Sequence, residues 1–179
     1  MKILKKILFV ILGIIVLALV VALFTKKDYA VEREVTINKP KQEVFDFIKF
    51  VKNQDQYSVW NNIDPAMKKS YTGTDGTVGF IYAWDSANKN AGKGEQEITK
   101  ITDGERIEMK LRFKEPFEAE DNAYMATEPI GADKTKVKWG FTGKMPWPMN
   151  LMLLCMNMEE MIGKDLQGGL DKLKTIVEK

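Results

Sequence analysis

An unbroken apolar stretch near the N-terminus is the feature that most constrains how this chain can fold. Ile7–Phe24 contains 18 residues with no charge and no strong hydrogen-bonding side chain. As an α-helix the stretch is about 27 Å long, close to the hydrocarbon thickness of a bilayer. Lysine pairs flank it at residues 5–6 and 26–27. The sequence therefore predicts a single-pass membrane anchor, formed by residues 1–28.

A cleaved secretory signal and a buried core helix are the two alternatives for the apolar stretch. The apolar core of a secretory signal usually runs for about 7–15 residues and is followed by small residues at the cleavage site. Here the stretch is longer, and it continues as Phe-Thr-Lys-Lys over residues 24–27. A soluble core helix is rarely apolar on every face. An anchor therefore fits the sequence better than either alternative.

The charges around the stretch indicate both orientation and partners. Three lysines precede it, whereas Asp28 offsets the two lysines that follow it. Because basic flanks favour the cytoplasmic side, we expect an inside N-terminus and an extracytoplasmic domain. Residues 1–28 hold five lysines and one aspartate, so residues 29–179 carry a net −2 although the whole chain is +2. The lack of a basic face argues against nucleic acid as a partner.

The composition excludes several kinds of site. The chain has no histidine and a single cysteine, Cys155. Catalytic triads and metal sites that need histidine are therefore ruled out, an intrachain disulfide cannot form, and one thiolate cannot build a zinc site. The acidic stretch from Glu115 to Asp121 lacks the spacing of an EF-hand loop and is predicted to be solvated surface. We expect no metal and no cofactor.

Hydrophobic periodicity predicts a mixed α+β domain over residues 29–179. Alternating apolar residues predict a strand over residues 30–37 and about six further strands after residue 67, separated by turn-forming residues. Helical spacing predicts a helix over residues 41–51 and a long C-terminal helix whose apolar stripe begins at Met149. An antiparallel sheet of this size must cover its buried face, and the C-terminal helix is the only element long enough. A sheet curled around one helix usually leaves an internal cavity.

Three segments resemble a known family. Residues 31–48 (VEREVTINKPKQEVFDFI), 59–65 (VWNNIDP) and 77–99 (TVGFIYAWDSANKNAGKGEQEIT) resemble the opening strand and helix, the segment near the second helix, and the second hairpin of the START-like, Bet v 1-like superfamily. They resemble in particular its bacterial polyketide-cyclase/dehydrase group, the SRPBCC proteins, over about residues 30–178. The resemblance implies a helix-grip fold, with about seven curved antiparallel strands around a long C-terminal helix. Members share no fixed catalytic residues, and many hold apolar or lipid-like ligands.

In such a fold, inward-facing side chains are expected to line the cavity. From the strands and the second helical region, the candidates are Trp60, Phe80, Tyr82, Trp84, Glu97, Met109 and Trp139. Core packing without a ligand is the alternative for the apolar candidates. If Glu97 points into an apolar cavity, burial would raise its pKa and suit it to acid–base chemistry. If it points outward, it is simply solvated.

The methionine-rich segment, residues 145–162, holds six of the ten methionines. Methionine is flexible and polarisable and fits irregular or changing surfaces. On the helical stripe, Met149, Met152 and Met156 are predicted to line the cavity, and Met152→Glu is then expected to abolish ligand retention. Filling gaps in the core is the alternative role for these residues. Trp147, between two prolines, suits either a membrane interface or a hydrophobic plug under the helix.

Three functions stay open for the chain. The preferred one is a membrane-anchored binding module for a hydrophobic small molecule or lipid, with the bilayer contacted through Ile7–Phe24. The second is an enzyme of cyclase or dehydratase type that uses carboxylate or tyrosine groups in the cavity. The third is an interaction or scaffold domain of the cell envelope, with exposed apolar residues as its contact surface. The missing histidine and the lack of a convergent polar set favour binding over catalysis.

Overall fold

The computed structural model describes residues 2–179, apart from the side chain of Lys2. The helices and strands follow one another as α1 (Lys2–Phe24), β1 (Asp28–Ile37), α2 (Lys41–Ile48), α3 (Gln54–Tyr57), β2 (Lys68–Thr72), β3 (Ile81–Asp85), β4 (Lys93–Thr102), β5 (Arg106–Glu115), β6 (Ala119–Gly131), β7 (Lys134–Lys144) and α4 (Met158–Val177). Short 3-10 turns lie at Val51–Asn53, Trp60–Asn62 and Met149–Leu154.

The strands form one antiparallel sheet in the order β1-β7-β6-β5-β4-β3-β2. From β2 to β7, each strand pairs with the next one along the chain. The first strand pairs instead with the last, so that Asp28 lies opposite Lys144 and Ile37 opposite Thr135. The curved seven-stranded sheet, the long C-terminal helix and the single N-terminal apolar helix confirm the predicted fold class.

The core lies between the concave face of the sheet and α4. Strand residues alternate between the two faces, so every second side chain points inward. Those that are almost completely buried include Ile107, Met109, Met125, Val137 and Trp139. The buried face of α4 consists of Leu166, Leu170 and Leu173. Their spacing of three and four residues places these leucines on one side of the helix, which covers the sheet.

A glycine lets α4 approach the sheet closely at Trp139. A Cβ atom at Gly169 would lie 2.7 Å from the Trp139 ring, which is too close for a normal contact. At the neighbouring Gly168, a Cβ atom would make only an ordinary contact of 3.5 Å with Val59. Glycine inside a helix costs about 1 kcal/mol relative to alanine. At position 169 the close helix–sheet contact explains its presence.

The start of α4 differs from the sequence prediction. Asn157 caps the helix, because its Oδ1 accepts a hydrogen bond from the Glu160 backbone N–H at 3.1 Å. Glu159 and Glu160 add negative charge to the first turn, where the helix dipole favours it. The residues before the cap form the 3-10 turn Met149–Leu154 instead. The predicted continuous helical stripe from Met149 is therefore wrong.

The helix α1 stands apart from the domain along most of its length. The most apolar 18-residue window within Ile3–Phe24 has a mean hydropathy of 3.5, and nearly all side chains of this helix are exposed. The exception is the C-terminal end, where Ala22 is fully buried against the rest of the protein. A helix of this length and composition is compatible with a membrane span or with a signal sequence.

Candidate functional site

An internal cavity of about 350 Å³, partly open to solvent, lies between the concave face of the sheet, the region around α3, and α4. Its aromatic lining consists of Tyr29, Trp60, Tyr82, Trp84, Phe113, Trp139 and Phe141. Further apolar lining comes from Met67, Met109, Leu111, Ala123, Ile162 and Leu166. This volume is near the lower end of the range for small-molecule sites. The apolar wall suits a ligand that is itself mainly apolar.

The aromatic side chains of the wall pack against one another. Tyr82 and Trp84, two residues apart on β3, stack with their ring centroids 5.9 Å apart. Trp139 on β7 meets Tyr57 and Trp60 edge-on, at centroid distances of 5.7 and 5.9 Å. Aromatic pairs in these geometries contribute about 0.5–1.5 kcal/mol beyond the burial of their area. The wall is therefore stiff and formed before a ligand enters.

Three polar side chains of the wall, those of Gln54, Gln96 and Trp84, are bonded to other wall atoms. The Gln54 and Gln96 amide nitrogens both point at the Met109 sulfur, at 3.7 and 2.8 Å. The Trp84 indole N–H donates to the Ala91 carbonyl at 3.0 Å. These groups do not converge on one point in the cavity, as a catalytic set would. Within residues 2–179, the structure also places no three His, Cys, Asp or Glu side chains where they could hold a metal ion together.

Half of the ten predicted site residues lie in the cavity wall. Phe80 is buried outside it. The five in the wall are Trp60, Tyr82, Trp84, Met109 and Trp139. Their role in holding a ligand stays a prediction. Phe80 is fully buried, but it packs against Tyr71 with ring centroids 6.2 Å apart and does not reach the cavity. The predicted position of Phe80 in the cavity wall is therefore wrong, and its side chain belongs to the packed core.

Glu97 lies on the convex face of the sheet and not in the cavity. The pleat of β4 turns Gln96 and Ile98 inward, and it turns Glu97 toward Arg112 on β5. Arg112 Nη2 lies 2.5 Å from Glu97 Oε2, and Arg112 Nη1 lies 3.1 Å from Glu95 Oε1. The predicted cavity position of Glu97 is therefore wrong. An acid–base role for it inside the cavity has no geometric basis.

The three predicted methionines also lie outside the cavity. Met149 and Met152 are 44% and 40% exposed, on the 3-10 turn that precedes α4. Met156 lines an open groove between the end of α1 and the methionine-rich segment. Their predicted cavity positions are wrong, because the chain folds here against α1 instead of continuing α4 across the sheet. Met152→Glu is accordingly no longer expected to affect the cavity.

Two side chains of the methionine-rich segment hold the end of α1. The Asn150 amide is fully buried and donates to the carbonyls of Ala22 and Thr25, at 2.8 and 3.0 Å. The Trp147 indole N–H donates to the Leu19 carbonyl at 3.2 Å. The Ala22 carbonyl is among the last four of α1, which have no partner within the helix, whereas the Leu19 carbonyl lies one turn earlier. The segment therefore acts as a C-terminal cap for α1, a role that the sequence patterns did not indicate.

Asp121 on β6 is a cavity residue that sequence analysis missed. It is only 6% exposed and lines the cavity together with Tyr29. The prediction that the whole stretch from Glu115 to Asp121 is solvated surface is thus wrong at this position. Burial raises the pKa of the Asp121 carboxyl, and a hydrogen bond from the Lys144 backbone N–H at 3.3 Å partly offsets the effect. Burial and the nearby Asp121 charge raise the pKa of Tyr29 to about 12.

Comparisons with known proteins agree with this architecture. The profile of the family described as polyketide cyclase / dehydrase and lipid transport matches residues 29–178. Norcoclaurine synthase from Thalictrum flavum, in complex with dopamine and hydroxybenzaldehyde, aligns at 10% identity and a TM-score of 0.62 over 87% of this chain and 89% of its own. A Thermobifida fusca protein aligns at 14% identity and a TM-score of 0.61 over 83% and 92%. Ara h 8.0201 aligns at 15% identity and a TM-score of 0.55 over 84% and 97%. No curated protein matches the chain.

The structural likenesses concern the fold, because their sequence identities are 10–15%. The family match is more specific, since it spans all seven strands, the cavity wall and nearly all of α4. Together they confirm the resemblance that the sequence motifs indicated. The chain therefore belongs to the polyketide cyclase/dehydrase and lipid transport family, within the START-like SRPBCC superfamily.

Proposed function

We propose that the protein is a membrane-anchored domain that binds a hydrophobic small molecule or lipid in its internal cavity. The observation that carries this proposal is the cavity of about 350 Å³ with its aromatic and aliphatic wall. Burial of apolar ligand surface there contributes about 25 cal/mol per Å². Among the residues described, Asp121 is the only charged one in the wall. Most of the surface of a bound ligand would therefore contact carbon atoms.

The contacts at the end of α1 support a retained anchor over a cleaved signal. Asn150 is fully buried, and both of its donated hydrogen bonds end on carbonyls of Ala22 and Thr25. Removal of α1 would leave this buried amide without those partners, at a cost of about 1–3 kcal/mol. The Trp147 bond to Leu19 would be lost as well. These contacts support the proposal that the helix is retained.

An exposed apolar surface beside the end of α1 supports contact with a bilayer. This membrane-side surface consists of Trp147, Met149, Met152 and Leu154, which are 40–62% exposed. Amphipathic aromatic side chains favour the headgroup region, and large apolar ones gain from burial there. Lys26 and Lys27 lie just past the end of α1, where their ammonium groups can reach lipid phosphates. Its position next to α1 favours a bilayer over a protein partner, and so favours binding over the envelope-scaffold alternative.

The domain is proposed to face away from the cytoplasm. Three lysines precede the apolar stretch, and Asp28 offsets the two lysines that follow it. This asymmetry is about one charge in favour of a cytoplasmic N-terminus. Cysteine labelling of intact cells with a membrane-impermeant maleimide tests the orientation, because Cys155 is exposed and is the only cysteine in the chain. Labelling only after the cells are opened would place the domain inside.

Catalysis of cyclase or dehydratase type is the second candidate function. The observation that favours it is Asp121 beside Tyr29 in the cavity, a carboxyl with a raised pKa next to a phenol. Against it, Gln54, Gln96 and the Trp84 indole are bonded to wall atoms and do not converge with this pair. Binding is therefore preferred over catalysis.

Native mass spectrometry of the full-length, detergent-extracted protein tests the binding function. We expect a fraction of the protein to carry an adduct that organic extraction releases and that behaves as an apolar or amphiphilic compound. In a parallel flotation assay, the protein should float with liposomes after a carbonate wash, as an integral membrane protein does. A chain that carries no adduct, and that binds none of a panel of apolar probes, would contradict the binding function.

A further inference from the structure

Asp121 is buried in the cavity wall without a basic partner. Its Oδ1 accepts one hydrogen bond, from the Lys144 backbone N–H at 3.3 Å. The Lys144 ammonium lies instead 3.9 Å from Asp28 Oδ1. Within residues 2–179, the cavity wall contains no lysine and no arginine. A buried carboxyl in these surroundings is unfavourable until another group satisfies it.

A structural role explains only part of this arrangement. The backbone pairing of β6 and β7 ends at Asn122–Thr142, and Asp121 Oδ1 accepts the Lys144 N–H just past that end. The 3.3 Å bond from Lys144 is longer than a typical N–H···O bond, so it contributes weakly. An asparagine would keep an oxygen for this N–H and avoid the penalty of burying a carboxyl. The position therefore suggests a function in which the carboxyl meets something from outside the chain.

The surroundings of Asp121 fit a positive charge. Tyr29 and Phe141 stack with their ring centroids 6.1 Å apart, and both line the cavity with Asp121. Aromatic faces attract cations. Gly143 on β7 lies opposite Tyr29 on β1. Because Gly143 has no side chain, the Tyr29 ring can occupy the space beside Asp121. A cation placed here would meet a carboxylate, a phenol oxygen and aromatic rings together.

We propose that Asp121 binds the amine of a cationic amphiphile whose apolar body lies between the aromatic side chains of the cavity. This inference rests on the proposed binding function and adds the chemical class of the ligand. An ammonium group has three donors, which can reach Asp121 Oδ2 and the Tyr29 hydroxyl oxygen. Hydrogen bonds between ions are about twice as strong as neutral ones. A ligand with a carboxylate head would instead be repelled.

The location of Asp121 also orients the ligand. Tyr29, its neighbour in the cavity, lines the open groove at the end of α1 as well. The same groove is bordered by Phe24 and Lys26, the residues at the end of the apolar helix. The amine end of the ligand therefore lies at the membrane-proximal end of the cavity, and the apolar body extends toward Trp84 and β3.

Isothermal titration calorimetry with three matched probes tests the assignment. The probes are 4-phenylbutylamine, 4-phenylbutanol and 5-phenylpentanoate, which share one phenylbutyl body and differ in the head group. With the full-length protein in nonionic detergent, we expect the amine to bind at least about tenfold more tightly than the carboxylate. Asp121→Asn should weaken binding of the amine by about tenfold and change that of the alcohol by less than about twofold.

Glu120→Gln is the matched control for this experiment. It removes the adjacent carboxylate on the same strand, which points outward and lies 3.3 Å from Lys110 Nζ. It should leave the affinity for all three probes unchanged. Equal affinity of the native protein for amine and carboxylate, or an unchanged amine affinity in Asp121→Asn, would overturn the assignment and leave the binding function standing. If none of the three probes binds the native protein, the binding function fails together with the inference.

Discussion

The cavity wall and the methionine-rich segment use similar side chains in opposite environments. In the wall, Tyr82, Met109 and Trp139 are 1–4% exposed, whereas Trp147 and Met149 of the segment are 45% and 44% exposed. The wall residues sit on strands paired on both sides, so the pleat alone decides which way they point. The segment has no such pairing, and its direction is set by Asn150 and Trp147 binding to α1. Apolar composition alone therefore does not separate the wall of the cavity from an exposed surface beside α1.

One tryptophan from each region, Trp139 and Trp147, gives the largest expected contrast. Trp139 contacts the rings of Tyr57 and Trp60 and is almost fully buried, so Trp139→Ala should lower the free energy of unfolding by about 3–5 kcal/mol. Trp147→Ala should lower it by about 1 kcal/mol or less, because the side chain is half exposed and gives up one hydrogen bond. Urea denaturation of both variants in the same detergent checks this. Equal losses would show that the segment is part of the core.

The adjacent glycines of α4 should respond with opposite signs. Gly169→Ala places a methyl group against the Trp139 ring and should destabilise the protein by about 1–3 kcal/mol. Gly168→Ala meets only Val59 at an ordinary distance and should stabilise it by up to about 1 kcal/mol through better helix propensity. Thermal unfolding of the two variants decides between them. A stabilised Gly169→Ala protein would mean that α4 does not press on the cavity wall.

Asp121→Asn should stabilise the empty protein at neutral pH. The folded state raises the pKa of Asp121 above its ordinary value of 3.8, so the ionised form is disfavoured there by burial. At pH 7 the variant, which keeps an oxygen for the Lys144 N–H, should gain roughly 1 kcal/mol. The gain should shrink as the pH falls through the folded-state pKa and vanish below about 3.8, where both states are protonated. A gain that is independent of pH would point to packing instead of charge.

The smallest effect is expected for Met152→Glu. Met152 is 40% exposed and lies outside the cavity, so the free energy of unfolding should change by less than about 0.5 kcal/mol. Ligand retention should stay as in the native protein. Loss of ligand retention in this variant would mean that Met152 lines the cavity after all, as the helical stripe predicted.

The fold was accessible from the sequence because its signals are regular and reinforce one another. Strand alternation, turn residues and one long amphipathic helix permit few arrangements, and the inward direction of Tyr82, Met109 and Trp139 followed from them. Glu97 was misplaced because the sequence does not show which side chains of β4 point to the concave face of the sheet. Its neighbour Gln96 is also polar, so polarity did not distinguish the two. The Ile98–Met109 pairing, which fixes that face, is a contact between strands.

The contact of the methionine-rich segment with α1 and the position of Asp121 in the cavity were missed for different reasons. The contact of Asn150 with Ala22 joins residues 128 positions apart, and no local pattern encodes it. Asp121 did carry a local signal, since it shares the parity of Ala123 and Met125 on β6. The surrounding acidic residues concealed that signal, because charge runs are usually solvated. A buried polar group in a cavity is an exception to the rule that charged residues are solvated.

Ligand occupancy of a cavity-filling variant tests the central claim most directly. Ala123 lines the cavity opposite Met109 and Phe141, so Ala123→Phe would occupy the ligand space, whereas Ala126→Phe adds the same bulk to the convex face of the same strand. In native mass spectrometry of the full-length proteins, we expect Ala123→Phe to lose the bound compound and Ala126→Phe to keep it. Equal occupancy in the two variants would contradict ligand binding in this cavity.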